Sequence, residues 1–133
     1  MREAMKGGEI QSGRAPKPVG LYPHARRVGN LLFLSGIGPR RPGTDEIPAS
    51  FEEQCRSVFD NVRAVLEDAG CAFDDLVDVT VFLTDMKRDF STYNRLYAEY
   101  FATARPCRTT VGITALPTAI AIELKCIAEV RPR

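Results

Sequence analysis

Apolar positions in this chain of 133 residues follow two different periods. Between residues 50 and 70 they recur every three or four positions, at Phe51, Cys55, Val58, Val62, Leu66 and Ala69. That spacing lines one face of an α-helix. Ser50 can cap its first turn, Glu53 stands three residues on as in a capping box, and Gly70 is suited to end it. A second helical face runs near residues 90–103, through Phe90, Tyr93, Leu96, Tyr97 and Tyr100 or Phe101. Elsewhere the pattern belongs to strands. Residues 76–85, LVDVTVFLTD, are rich in β-branched side chains, as are residues 109–113. In residues 119–130, Ile120, Ile122, Leu124 and Cys126 alternate with Ala121, Glu123, Lys125 and Ile127.

Upstream, LYPHARRVGNLLFLSGIG predicts a hairpin. Two extended runs flank Gly29-Asn30, a pair suited to the positive φ angles of a two-residue turn. Residues 31–34 are continuously apolar and are expected to lie buried. Residues 38–48, dense in Gly and Pro, predict a loop. Residues 1–18 are polar and rich in Gly and Pro, which predicts a mobile or loosely packed arm and leaves 19–133 as a single domain. The order β-β-α-β-α-β-β predicts an α+β domain with two helices on one face of a mixed sheet. Two helices cover only one face, and the apolar residues left on the other imply a homo-oligomer.

Charge and composition narrow the function. No apolar run approaches the ~20 residues of a membrane span, and the N-terminus lacks the apolar core of a signal peptide, so a cytoplasmic protein with no membrane partner is expected. Residues 1–44 carry eight Lys or Arg against two acids, although the net charge of the whole is +1. Such asymmetry can mark an anion-binding surface. The basic residues are dispersed, tryptophan is absent and no recognition motif accompanies them, which argues against nucleic acid. Cys55, Cys71, Cys107 and Cys126 form no C-x-x-C pair and His24 is the sole histidine, so no metal site is expected and the cysteines read as free thiols.

The residues best placed for chemistry lie late in the chain. In RPCRTTVGITALP, Arg108 follows Pro106-Cys107 where a loop enters a strand; Arg105 is less constrained. A planar guanidinium there can hold a carboxylate through two parallel hydrogen bonds, or can serve as a surface ion-pair partner. Glu123 lies within an apolar strand, where a carboxylate is costly unless paired or at a cleft. It could orient water or shuttle a proton, or simply face outward. Tyr22 and Ser35 flank the hairpin, with Gly36 and Gly38 permitting close backbone approach to a ligand. Cys107 could be a nucleophile if Arg108 lowered its thiol pKa, with His24 as the sole available base.

These segments resemble the RidA/YjgF family. The likeness covers about residues 20–130 and rests on GLYPH, FLSGIGP, NVRAVLEDAGCAFDDLVDVTVFLTDM, YNRLYAEYF and above all RPCRTTVGITALPTAIAIELKCIA. It implies a chorismate-mutase-like fold, assembled as a homotrimer with sites between subunits and the pairing of trimers left open. It implies hydrolysis of enamines and imines of 2-amino acids to 2-oxo acids and ammonia, with no metal or organic cofactor. By the same resemblance Arg108 binds the substrate carboxylate, Glu123 orients water, and Tyr22, Ser35 with Gly36, and Asn94 line the site. Departures from the common pattern include Ile37-Gly38-Pro39-Arg40 after Ser-Gly and Cys107 within Pro-x-Arg. GLYPHARR, SGIGPR and the later PGT resemble the 2-aminomuconate deaminase branch, which implies hydrolysis of the dicarboxylate 2-aminomuconate to 4-oxalocrotonate and ammonia in aromatic-compound degradation. The second carboxylate of that substrate would need another cation, from among Arg26, Arg27, Arg40, Arg41 and His24. The alternatives are a broad-specificity RidA-type imine deaminase and a ligand-binding or chaperone-like trimer without turnover.

Overall fold

The computed structural model describes residues 7–132, and six strands in it form one sheet: β1 (Glu9–Ile10), β2 (Ala25–Val28), β3 (Leu31–Leu34), β4 (Leu76–Leu83), β5 (Cys107–Gly112) and β6 (Ile122–Glu129). Their spatial order is β1-β2-β3-β6-β4-β5. Every neighbouring pair is antiparallel except β4 and β5, which run parallel. Two helices, α1 (Phe51–Asp68) and α2 (Met86–Tyr100), pack on one face. The mixed α+β architecture thus agrees with the reading of the pattern. Among the described residues no helix is long and apolar enough to cross a membrane.

Alternation selects which side chains the helices cover. In β4, Val79, Val81 and Leu83 are fully buried, and in β6 so are Ile122, Leu124, Cys126 and Ala128. They meet Cys55, Val58, Val62 and Leu66 of α1 and Tyr93 and Leu96 of α2. Each such Val or Leu contributes about 1.5–3 kcal/mol relative to an exposed position. The helix boundaries have local causes. Ser50 Oγ accepts from the Glu53 N–H at 3.1 Å, and Gly70, at φ +81°, follows the last turn of α1. The second helix begins four residues before the predicted start, because Asp85 caps it by accepting from the Arg88 N–H.

Three expectations change. Residues 9–16 do not form a loosely packed arm: β1 pairs with β2, and Ser12 and Ala15 are buried. A short pairing strand satisfies the backbone there despite the polar composition, and residues 1–6 lie outside the described residues. At the hairpin, Gly29 alone takes a positive φ, of 60°, which is the turn with glycine first. Third, β3 is buried on one side only. Leu32 and Leu34 face the helices, whereas Leu31 and Phe33 are 41% and 36% exposed. The continuous apolar run serves two faces, and with Val28, Phe82 and Ile127 the outer one forms an uncovered sheet surface.

Candidate functional site

The segment before β2 and the turn after β3 enclose an open cleft with about 330 Å³ between its walls, solvent included. Tyr22, His24, Ser35, Gly36 and Arg40 line it, together with Lys17. The walls are tied by backbone chemistry. Ser35 Oγ donates to the Pro23 carbonyl at 2.7 Å, and the Ser35 N–H to the His24 carbonyl at 2.9 Å. The Val19 N–H donates to Tyr22 Oη at 3.2 Å.

Glu123, near the start of β6, lies against Gly36 of the cleft wall. A Cβ added to Gly36 would come within 1.9 Å of Glu123 Oε1, so glycine is what admits the carboxylate there. Burial pushes the Glu123 carboxyl above its ordinary value, and no ion pair among the described residues offsets this. A carboxylate so placed can accept a proton from a molecule held in the cleft. Its neighbour Lys125 donates to the Leu34 carbonyl.

Arg108 stands elsewhere. It is the second residue of β5 and pairs with Val79, whose side chain lies under the helices, while Glu123 pairs with Phe82 on the uncovered face. Arg108 and Glu123 therefore face opposite sides of the sheet, with β4 between their strands. Within one chain the arginine and the carboxylate are not brought together. Instead Arg108 Nη1 donates to Asn94 Oδ1 at 2.9 Å, and its guanidinium carbon lies 4.7 Å from the centre of the Tyr97 ring and 5.2 Å from that of Tyr93. The chain reaches this strand through Arg105, held at φ 50°, which turns it out of α2 into Pro106.

The remaining candidates separate on the same grounds. Cys107 is exposed and pairs with Asp78, on the face opposite the Arg108 guanidinium, which is therefore not aimed at the thiol. His24 is buried with both nitrogens engaged: Nδ1 accepts from the Ser12 N–H at 2.9 Å and Nε2 lies 2.7 Å from the Pro16 carbonyl. The proton must sit on Nε2 to satisfy both, so His24 staples the residue 12–16 segment and has no nitrogen left for a substrate. Of the proposed second cations, Arg40 lines the cleft, its Nη2 donating to the Lys17 carbonyl and its Nη1 lying 3.7 Å from the exposed Asp45 carboxylate. Arg41 is committed to Glu46 and Glu53, and Arg27 to the Gly29 carbonyl. Lys17 was missed because its Gly- and Pro-rich surroundings read as an arm. Tyr93 and Tyr97 were legible only as core positions, since strand register decides which side chain lies over them.

Comparison with known proteins settles the kinship. The family profile described as Endoribonuclease L-PSP, the RidA/YjgF family, matches residues 12–130. The chain belongs to the RidA/YjgF family. A RutC family protein of Pyrococcus abyssi is 42% identical over 120 residues, which is 90% of this chain and 94% of that one. TdcF of Escherichia coli, named provisionally as a reactive intermediate deaminase, is 36% identical over 122 residues, 90% and 94% of the two chains. The crystal structure of E. coli TdcF with bound serine superposes with a TM-score of 0.87 over 92% of this chain and 98% of that one, at 35% identity. RidA from an Antarctic Psychrobacter gives the same TM-score at 35% identity, over 91% and 98%. None of these RidA/YjgF relatives singles out the 2-aminomuconate branch.

Proposed function

We propose that this RidA/YjgF protein is a cofactor-independent deaminase of broad specificity, hydrolysing the imines that arise from 2-enamino acids to 2-oxo acids and ammonia. The observation that carries the reading is Arg108: an exposed guanidinium held by an amide oxygen and aromatic rings, with no carboxylate within 4 Å among the described residues. Arg14, Arg41, Arg88 and Arg131 each have such a partner. An arginine kept unneutralised is available to an incoming carboxylate. The relative that carries bound serine, an amino acid, supports the same ligand chemistry.

Because Arg108 and Glu123 face opposite sides of the sheet, we place each site between two subunits of a homotrimer. One subunit supplies Arg108 and Asn94. Its neighbour supplies Glu123 and the cleft of Tyr22, Ser35 and Gly36. Arg108 clamps the carboxylate beside the nitrogen-bearing carbon, and the enamine tautomerises to the electrophilic imine. Glu123 takes a proton from water as the oxygen adds to that carbon. It returns that proton to nitrogen to give the carbinolamine, then takes the carbinolamine hydroxyl proton and passes it to the amino group, so that the carbon–nitrogen bond breaks as the 2-oxo carbonyl forms and ammonia leaves. A base so placed contributes about 10²–10⁴-fold. Cys55, Cys71, Cys107 and Cys126 are all free thiols, consistent with the reducing cytoplasm in which we place this chemistry.

A dicarboxylate such as 2-aminomuconate is the second reading, favoured by Arg40 in the cleft wall. RNA is not the proposed substrate despite the family description, because Arg14, Arg41, Arg56, Arg88 and Arg95 are paired with neighbouring acids and form no basic stripe.

The experiment generates 2-aminoacrylate in situ and follows pyruvate and ammonia. The wild-type protein accelerates their release, and Arg108→Ala lowers kcat/KM at least about tenfold. Unchanged turnover in that variant removes Arg108 from the site. Pyruvate binding without acceleration makes the protein a ligand-binding module, and a higher kcat/KM on the dicarboxylate selects the second reading.

A further inference from the structure

Arg108 is held differently from most arginines of the fold. Arg63 also lies over aromatic rings, those of Phe73 and Tyr100, but it has Asp60 at 3.7 Å as well. Beneath Arg108 the aromatic surface replaces the acid. That surface is rigid: Tyr97 stacks on Phe101 with ring centres 3.8 Å apart and planes 7° from parallel, and it meets Tyr93 and Phe59 edge-on at 5.8 and 6.2 Å. Tyr93 is itself fixed, its hydroxyl 2.7 Å from Thr110 Oγ1 on β5.

The Tyr97 hydroxyl is buried and has no hydrogen-bond partner among the described residues. A buried hydroxyl without a partner is a cost. Burial pushes the Tyr97 hydroxyl far up, which keeps it neutral and leaves the guanidinium without a phenolate counter-ion. What Tyr97 offers Arg108 is therefore the face of its ring.

We propose that Tyr97, with Tyr93 beside it, is a positioning residue for the reaction: the paired rings orient the Arg108 guanidinium without neutralising it. An acid in their place would hold the arginine equally well and would compete with the substrate carboxylate. Aromatic faces attract the cation through their quadrupole, yet leave the N–H groups directed away from Asn94 free to bind an anion. The proposal rests on the reading of Arg108 as the carboxylate clamp.

The test uses the full chain with Tyr97→Phe, Tyr97→Leu and Tyr97→Met, and Arg108→Ala as reference. Calorimetry measures the Kd for pyruvate, and steady-state kinetics with 2-aminoacrylate measures KM and kcat. Tyr97→Phe keeps the ring and is expected within about twofold of wild type in all three quantities. Tyr97→Leu and Tyr97→Met are expected to raise Kd and KM about fivefold to thirtyfold while leaving kcat within about twofold. A merely structural role would lower kcat through loss of folded protein and leave KM and Kd alone. Should Tyr97→Leu fail to fold, Tyr97→Met, closer in volume and flexible, carries the comparison.

Wild-type Kd and KM in the Leu and Met variants overturn the proposal, as does a lost kcat with unchanged KM. If the wild type binds pyruvate through Arg108 but releases no ammonia, the deaminase reading fails and the Kd series alone decides the aromatic bed. If pyruvate binding does not depend on Arg108, both the clamp and its bed are rejected.

Discussion

Glu123 shows most directly how a single side chain reports on the site. Its carboxyl is held above the ordinary value by burial alone, so the native state keeps its proton to higher pH than the unfolded chain does. Stability from this group is therefore lost as pH rises through the interval between the ordinary and the raised value. Glu123→Gln is predicted to melt higher than wild type at pH 7, with the difference vanishing below about pH 4, where both states are protonated. In turnover the same variant loses about 10²–10⁴-fold, and the wild type loses activity on the acid side as the base is protonated. Thermal melts and a pH–rate profile check both signs. The sequence marked Glu123 by its apolar neighbours and Arg108 by its place after Pro106-Cys107. It could not reveal that they face opposite sides, because that depends on which residue of β4 each strand pairs with. His24 misled for a related reason: a lone histidine in a basic segment suggests a ligand-binding ring, and only the fold shows both nitrogens spent on Ser12 and Pro16.

Elements carry these residues into place, and their joints are where substitutions should matter. The turn after β3 approaches β6 so closely that Gly36→Ala would displace the Glu123 carboxylate. That variant is predicted to fold, since the group that must move is the end of a flexible side chain, yet to lose turnover nearly as fully as Glu123→Gln. A Gly36→Ala protein with wild-type kcat would mean that the carboxylate works from another position. His24→Leu should act on stability instead. It leaves the Ser12 N–H and the Pro16 carbonyl without their partner, at about 1–3 kcal/mol in denaturant unfolding. Helices were the most legible elements, because the Ser50 cap, the Gly70 stop and the apolar spacing of α1 agree with one another. Strand β1 was not, being two residues long in a stretch whose composition suggests a loop, and it gains its place only by pairing with β2.

At the scale of the whole molecule the proposed homotrimer accounts for both the uncovered sheet face and the placement of Arg108 and Glu123 on opposite sides of the sheet. Val28, Leu31 and Phe33 leave apolar surface exposed opposite the helices, and Arg108 and Glu123 cannot meet within one chain. The resemblance of the closing segment implied a trimer, and the register adds a physical reason to propose a second copy. A complementation experiment tests this most directly. Arg108→Ala and Glu123→Gln chains, each strongly impaired alone, are co-refolded in equal amounts and assayed for ammonia release from 2-aminoacrylate. Random assortment in a ring gives about a quarter of the sites an intact Arg108 from one subunit and an intact Glu123 from its neighbour. The account predicts recovery of about that fraction of wild-type activity, and a mixture as inactive as its two components would contradict it.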